Sequence, residues 1–273
     1  MSRMADTGPF VSTRRVLLLP YTAALVPTYH AWLEDPWLRE MTASERLSLE
    51  EEFAAQREWA RDASKQTFIV FDRAAREGAG GAPNFTTAPS SPSSSPADAV
   101  AGAGGSAGGE EVEAEAEAAV RGACGDVNIF MLDADVAADY APPPDAGGGN
   151  GGGGGGGGGD VDGDGGGGGN GAAAASVVAA EIMVMIADPA FRRRGLAAEA
   201  VRAMMAFAHR ARGVTRFVAK ISDANEVSLR LFARLGFRLA RAMPHFAEQH
   251  LALDLSPAAA EALCAGVEDM ALR

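Results

Sequence analysis

The sequence predicts an α/β fold, in which a central mixed sheet is flanked by helices. The first observation is the order of the C-terminal half, where strand-like and helix-like segments alternate and two strand-like segments come last. The second is the near-continuous apolar run EIMVMIA at Glu181–Ala187, which is typical of a buried central strand. The third is Leu196–Arg212, whose apolar residues recur at helical spacing while Glu199, Arg202 and Arg210 face outward.

Four segments of the N-terminal part carry a secondary-structure pattern. Val16–Leu19 predicts a short strand, and Thr67–Phe71, which is rich in β-branched and aromatic residues, predicts another. Val26–Glu34 predicts a helix. Ser48–Ala60 predicts a longer helix, because its first residue is Ser and a Glu follows three positions later, as in a capping box.

The remaining elements lie in the C-terminal part. Gly125–Leu132 predicts a strand, and Gly213 stands where a glycine ends the helix Leu196–Arg212. The further predicted elements are, in order, the strand Arg216–Ile221, the helix Asn225–Leu235, the strands Phe237–Ala242 and His250–Leu255, and a terminal helix over Pro257–Leu272.

Two low-complexity stretches interrupt this pattern. Residues 73–119 and 139–176 consist almost entirely of Gly, Ala, Ser, Pro and acidic residues. Such a composition cannot bury enough apolar surface to offset chain entropy, so we expect two disordered insertions. The other residues, about 190, suit one domain, which we place at 14–256 with a helical tail at 257–273. The first insertion is expected to replace a hairpin loop, where added length costs little.

Composition argues against several classes of protein. A formal net charge of −12 disfavours a general nucleic-acid binder, which would present a basic face. No apolar run reaches the roughly 18 residues of a membrane span, and the N-terminal part lacks the apolar stretch of a signal peptide. Cys124 and Cys264 provide no disulfide framework. We therefore expect a cytoplasmic protein with neither nucleic acid nor membrane as a partner.

One acidic segment has the beginning of a calcium-binding loop. Asp160–Gly165 (DVDGDG) carries the residues required at positions 1, 3, 5 and 6, but Gly171 occupies position 12, where a Glu is needed. The four histidines show no metal-ligand spacing. We expect no metal site.

The segment FRRRGLA, which lies between a predicted strand and a predicted helix, has the character of an anion site. The N–H groups of a first helical turn lack intrahelical acceptors, and the helix dipole adds partial positive charge. Gly195 allows a ligand to approach the backbone, and Arg192, Arg193 and Arg194 add fixed charge. This pattern favours a diphosphate, with a solvated basic turn as the alternative. The GxxxxGK[ST] and GxGxxG motifs are both absent.

These residues also carry a family resemblance. Arg192, Gly195 and Ala197, after a strand ending in Ala-Asp-Pro, resemble the R/Q-x-x-G-x-G/A loop of the GCN5-related N-acetyltransferases (GNAT). Asn225–Ser228 (NEVS), followed by the Gly-Phe pair that ends at Phe237, resembles the second element of that family. Segments 17–33, 41–53, 65–70, 125–130, 181–189 and 225–237 resemble the eukaryotic N-acetyltransferase nine family, which is associated with acetylating the N-termini of α- and β-tubulin. The resemblance covers the expected ordered sequence and neither insertion.

The resemblance implies a GNAT fold with a splayed central sheet and acetyl-CoA as co-substrate. It implies that the loop Arg192–Ala197, including Leu196, binds the pyrophosphate. The pantetheine arm would lie against Met185, Ile186, Ala187, Asn225 and Ser228. Each of these has a plainer alternative, since the three strand residues can be core and Asn is a good helix cap.

The catalytic residues are less well defined. GNAT enzymes often use a Tyr as general acid four residues after the Ser position, and this sequence has Phe232 there. Glu181 matches a position where several GNAT enzymes carry a base that acts through water, and Glu248 is a second choice. The alternative for Glu181 is a strand-end carboxylate without a catalytic role.

Three further residues are candidates for contact with the acceptor. Asp126 and Asn128 are candidates to bond substrate backbone, and Glu45 to attract an N-terminal ammonium, although its segment also suits a simple turn. An α-amine has a pKa of about 7.7–8.0 and a lysine about 10.4, so a site without a strong acid–base pair suits an N-terminal amine better.

The function predicted is therefore acetylation of a protein N-terminus by direct attack of the neutral amine on the thioester, and the resemblance implies tubulin as the acceptor. Positioning is the main contribution, and backbone N–H groups stabilise the oxyanion. Two alternatives remain open: a GNAT enzyme for a small amine or a ribosomal protein, and a cytoskeletal binding protein that has lost turnover.

Overall fold

The structure is a computed structural model that describes residues 8–78, 117–141 and 177–272. Most of the two predicted insertions, and the calcium-loop-like segment 160–165, lie outside these residues. The first insertion was predicted to begin at residue 73, and this boundary is wrong. Arg73–Glu77 is helical, because the Asp72 side chain accepts a hydrogen bond from the N–H of Ala75 and caps the turn.

The described ranges contain nine strands, eight α-helices with defined bounds and a further helical stretch at 117–120. The strands are β1 Phe10–Ser12, β2 Val16–Pro20, β3 Lys65–Asp72, β4 Ala123–Leu132, β5 Ala179–Ile186, β6 Arg216–Ser222, β7 Arg238–Met243, β8 Glu248–Asp254 and β9 Asp269–Ala271. The helices are α1 Val26–Leu33, α2 Pro36–Thr42, α3 Leu49–Trp59, α4 Arg73–Glu77, α5 Ala134–Ala138, α6 Leu196–Arg212, α7 Glu226–Arg234 and α8 Pro257–Ala265.

All the strands join one mixed sheet in the order β7-β8-β6-β5-β4-β3-β2-β1-β9. Neighbours run antiparallel except β5 and β6, which are parallel. This pair is in register only from Ala179, opposite Arg216, to Glu181, opposite Val218. Beyond these residues the two strands continue without pairing with each other, so the sheet forks between them. The predicted α/β fold with a splayed mixed sheet is confirmed.

Helix α6 packs on one face of the sheet, against β1, β2, β4 and β5. Its predicted bounds are confirmed, and its apolar stripe is buried. The ring of Phe207 meets that of Phe68 on β3 edge-on at 5.0 Å. Fully buried alanines, including Ala200 and Ala206, let the helix approach the strands closely. Each buried large side chain in this layer contributes about 1.5–3 kcal/mol of hydrophobic free energy.

Helices α1 and α3 cover the opposite face. Ser48 caps α3, and the predicted capping box with Glu51 is present. The side chain of Gln56 donates to the Tyr21 carbonyl oxygen at 2.9 Å and ties α3 to the end of β2. The Tyr29 hydroxyl on α1 donates to the Asp126 carboxylate on β4 at 3.1 Å.

Further features differ from the sequence-based prediction. The tail predicted as helix over Pro257–Leu272 ends its helix at Ala265, and β9 then pairs with β1. The sheet therefore extends beyond the predicted bounds 14–256 at both ends. Helix α2 was not predicted, although Asp35 caps it and Pro36 occupies its first position.

Candidate functional site

A cleft of about 990 Å³ opens beside the fork of the sheet. One wall is β5 from Val184 to Ile186, and another is the loop and first turn of α6. Helix α7 closes one side, and α2 contributes Trp37 and Met41 to the other. Among the described residues β5 has no strand partner on its β6 side beyond Glu181. Apart from the Ile186 carbonyl oxygen, which accepts from Arg192, its peptide groups there are available to pair with a ligand.

The floor of the cleft is the N-terminus of α6. The first intrahelical bond runs from the N–H of Glu199 to the Gly195 carbonyl oxygen, so the N–H groups of Leu196, Ala197 and Ala198 have no intrahelical acceptor. Gly195 has φ +81°, a left-handed conformation that favours glycine. All four residues Gly195–Ala198 line the cleft. The arrangement is an anion site of the helix N-terminus type.

A network that the sequence does not reveal holds this turn in place. Arg15, in the turn between β1 and β2, donates from Nε and from its backbone N–H to the Glu199 carboxylate at 2.7 and 2.8 Å. Its guanidinium also donates to the Arg194 carbonyl oxygen at 2.9 Å, and Thr13 donates to Glu199 at 2.7 Å. Burial raises the pKa of Glu199, but the hydrogen bonds from Thr13 and Arg15 outweigh it and leave that pKa below its ordinary value.

The three arginines of the loop have different surroundings. Arg192 turns inward and donates to the carbonyl oxygens of Ile186 and Ala187 at 2.9 and 2.7 Å, with its guanidinium over the Trp37 ring. Arg194 pairs with Asp72 at 3.2 Å and does not line the cleft. Arg193 is exposed on the cleft wall. Arg192 therefore anchors the loop to β5, and Arg193 is the cleft-lining loop arginine for which the described residues supply no ion-pair partner.

Three more arginines line the cleft and were not predicted. Arg202 follows from α6, and Arg230 and Arg234 from α7. Arg230 pairs with Glu226 at 2.8 Å, whereas Arg202 and Arg234 have no ion-pair partner among the described residues. Among the described side chains that line the cleft, none is a carboxylate. The cleft is thus basic in a chain of net charge −12.

The other predicted cofactor residues lie around the same space. Met185 and Ile186 line the cleft, whereas Ala187 is buried beside it and donates its N–H to the Cys124 carbonyl oxygen at 2.8 Å. Asn225 and Ser228 also line it, and the Asn225 side chain caps α7 by accepting from the Ser228 N–H at 3.1 Å.

Phe232, the residue that stands where a Tyr general acid is common, is 2% exposed and meets the Phe237 ring edge-on at 5.0 Å. It belongs to the core beneath α7. No group at this position therefore faces the cleft.

The predicted catalytic and acceptor residues lie outside the cleft lining. Glu181 forms a 2.7 Å ion pair with Lys220. Asp126 is buried, and burial raises its pKa to about 6. The hydrogen bonds that it accepts from Asn128 and Tyr29 lower the pKa but do not offset burial. Glu45 is exposed between α2 and α3.

The remaining candidate, Glu248, begins β8 and lies 3.5 Å from His250 Nε2. The described residues hold no group of three or more His, Cys, Asp or Glu side chains arranged for a metal ion. None of their helices is long and apolar enough to cross a bilayer.

The residues present fit acetyl-CoA. The free N–H groups of α6 and Arg193 suit a diphosphate, since charge-assisted hydrogen bonds are the strong ones. The additional unpaired arginines suit a further phosphate. The apolar wall of β5, with its unpaired peptide edge, suits an amide-containing arm.

Comparison with known proteins identifies relatives of this chain. The GNAT acetyltransferase domain family matches residues 162–238. The alpha/beta-tubulin-N-acetyltransferase 9 of Homo sapiens is 30% identical over 246 residues, which cover 89% of this chain and 82% of that protein.

Two solved structures share the fold. A ribosomal L7/L12 alpha-N-protein acetyltransferase in complex with coenzyme A matches at a TM-score of 0.52 and 11% identity, covering 90% of this chain and 97% of that one. A spermidine N-acetyltransferase from Vibrio cholerae, in complex with CoA and spermine, matches at a TM-score of 0.51 and 9% identity, covering 88% and 95%.

Proposed function

The chain belongs to the alpha/beta-tubulin-N-acetyltransferase 9 family of GNAT acetyltransferases, and on that premise we propose that it acetylates the N-terminal α-amine of a protein. It is an acetyl-CoA-dependent acyltransferase. The name of the human relative supports tubulin as the acceptor. A tubulin acceptor would place the reaction in the cytoplasm.

The observation that carries the proposal is the basic cleft at the fork of the sheet. The α6 amides and Arg193 would hold the diphosphate, while Arg192 keeps the loop against β5. Acetyl-CoA supplies the activated acetyl group, and the chain binds and orients it. Positioning two reactants in this way can lower the barrier by about 7–11 kcal/mol.

The composition of the cleft wall favours an α-amine as acceptor. None of the described side chains that line the cleft is a carboxylate, a histidine or a tyrosine. An α-amine with a pKa of about 8 is partly neutral near pH 7, whereas a lysine with a pKa of about 10.4 is almost wholly protonated. A cleft whose described lining holds no base therefore favours the α-amine, because its ammonium form has the lower pKa and loses its proton more readily.

The test combines binding with product analysis. We expect isothermal titration to show one acetyl-CoA site. We then expect mass spectrometry to show one added acetyl group on peptides that carry a tubulin N-terminal sequence and an internal lysine. The same peptides with a blocked α-amine are the matched control and should gain nothing. Acetylation of the lysine in the blocked peptide would overturn the proposal. Absence of acetyl-CoA binding would show that the cleft is not a cofactor site.

A second candidate function is binding to the cytoskeleton without turnover. The observation that favours it is Phe232, whose buried ring leaves the usual position of the general acid without a hydroxyl. Acetyl-CoA binding without product on any amine would support this candidate.

A further inference from the structure

A row of polar side chains crosses the sheet at the fork, on the face away from α6. Glu181 is the last residue of β5 in register with β6. Lys220 follows two residues beyond its partner Val218, and its ammonium reaches back to Glu181 at 2.7 Å. Across the next strand pair, Lys220 is directly opposite His250 of β8. The row therefore begins at the point where β5 and β6 separate.

His250 is the centre of a hydrogen-bonded chain. Its Nδ1 lies 2.9 Å from the Tyr140 hydroxyl, and its Nε2 lies 3.5 Å from the Glu248 carboxylate. Since the carboxylate can only accept, the geometry fits an imidazole that carries its hydrogen on Nε2 and accepts the Tyr140 hydroxyl at Nδ1. A carboxylate thus orients a base, which in turn contacts a hydroxyl, the arrangement by which enzymes activate a hydroxyl for proton transfer.

Tyr140 brings the end of this chain toward the fork. It follows α5, which packs along β5, and it is 6% exposed. Burial raises the pKa of Tyr140, with opposing influences from the charges of Lys220 and Glu181. Tyr140 therefore bonds to the residue of β8 that is opposite Lys220, the cation of the ion pair at the fork. The sequence gives no indication of this, because Tyr140 and His250 are 110 residues apart.

We propose that the Glu248–His250–Tyr140 chain takes up the proton that the acceptor amine releases, with Tyr140 as its first member. The inference rests on the proposed function, since it requires an amine acceptor. His250 and Glu248 are positioning residues that act through Tyr140. The chain supplies the hydroxyl that is absent at position 232.

The amine nitrogen forms a bond to the acetyl carbonyl carbon, and the carbon–sulfur bond breaks with its electron pair on sulfur. One N–H proton passes to the Tyr140 oxygen as the hydroxyl proton of Tyr140 passes to His250 Nδ1. The imidazolium that forms lies beside the Glu248 carboxylate, and its proton returns through Tyr140 to the thiolate. General acid–base catalysis of this kind contributes about 10²–10⁴-fold in rate.

Two conservative variants test the chain. Tyr140→Phe removes only the hydroxyl. His250→Gln keeps an acceptor for that hydroxyl, because the amide oxygen can take its hydrogen bond, but it cannot take up a proton. Tyr21→Phe is the matched control, since the Tyr21 hydroxyl is buried without a hydrogen-bond partner among the described residues. Steady-state rates are measured for the full chain with acetyl-CoA and every amine that the wild type accepts.

We expect kcat to fall about 100-fold in both Tyr140→Phe and His250→Gln, with KM for acetyl-CoA within twofold of wild type. The double variant should be no slower than either single one, because both remove the same chain. Tyr21→Phe should keep the wild-type kcat. A purely structural role predicts instead that His250→Gln, which keeps the hydrogen bond, retains its rate.

The failures of the two proposals are distinguishable. Wild-type kcat in either Tyr140→Phe or His250→Gln would overturn the proton chain while the function stands. A wild type that acetylates lysine or spermidine but no N-terminal peptide would overturn the proposed function, and the variants would still test the chain on that amine. Transfer to no amine would overturn both.

Discussion

Replacing Asp126 with Asn should change how stability depends on pH. The carboxylate is buried between α1 and β4, and no cation pairs with it among the described residues. Burial raises its pKa to about 6, although Asn128 and Tyr29 donate hydrogen bonds to it. Tyr21, which follows β2, is a further titratable group near it. Glu52 of α3 lies near both tyrosines, and burial raises the pKa of Glu52 as well.

The sign follows from proton binding. Because the folded pKa is the higher one, the native state holds a proton between about pH 4 and 6 that the unfolded chain has lost. The free energy of unfolding is therefore highest on the acid side and falls as pH rises through that window. The difference between about 6 and the ordinary 3.8 corresponds to about 3 kcal/mol at 1.36 kcal/mol per pKa unit. Asp126→Asn is neutral throughout and lacks this contribution.

The assay is urea unfolding at pH 4, 5, 6 and 7, followed by the fluorescence of the three tryptophans. The quantity of interest is the free energy of unfolding of the wild type minus that of Asp126→Asn. We expect this difference to become less favourable to the wild type by about 2 kcal/mol between pH 4 and 7, because the unfolded carboxyl is already partly ionised at pH 4. Glu52 is present in both proteins, so its contribution cancels. Asp135→Asn, the same chemical change at an exposed position, is the control.

A difference that stays constant with pH would refute the reasoning. It would mean that Asp126 is hydrated in solution or that a cation reaches it. A difference that favours the wild type more as pH rises would have the wrong sign, and would indicate that the Tyr29 and Asn128 hydrogen bonds outweigh burial.

Two further predictions concern the glycine that precedes α6 and the cap of α3. Gly195→Ala should weaken acetyl-CoA binding in isothermal titration roughly tenfold, because a left-handed alanine costs about 1–2 kcal/mol and its Cβ would lie 3.2 Å from the Arg15 guanidinium, so the turn must shift. Unchanged affinity would place the diphosphate elsewhere. Ser48→Ala should lower the free energy of unfolding by about 1 kcal/mol, measured as a lower urea midpoint, because α3 loses its cap. An unchanged midpoint would mean that the Ser48 cap does not contribute to the free energy of unfolding.

The sequence predicts those elements whose pattern is local. Helix α6 has both of its predicted ends, because its apolar period is long and glycines flank it. Strand β9 was missed because a segment of three residues has no period of its own and depends on β1 for its conformation. Helix α2 was missed although Asp35 and Pro36 are a local signal that could have identified it.

The candidate site was likewise predicted only where its sequence pattern is local. The loop Arg192–Ala197 carries its pattern in consecutive residues, and the structure places most of it on the cleft. The distinct surroundings of Arg192, Arg193 and Arg194 depend on Trp37 and Asp72, which belong to distant segments. Such contacts become visible only when the sheet brings the segments together.

The pairing of β1 with β9 determines how the molecule would respond to mechanical load. Phe10 and Ala271, at the outer ends of the two strands, are direct neighbours. Tension applied through both flanking segments would therefore open this pair by unzipping, one hydrogen bond at a time. Strands loaded in shear must instead break all their bonds together. We expect this edge of the sheet to yield at low force, while the fork and its cleft, on the far side of four further strands, remain intact.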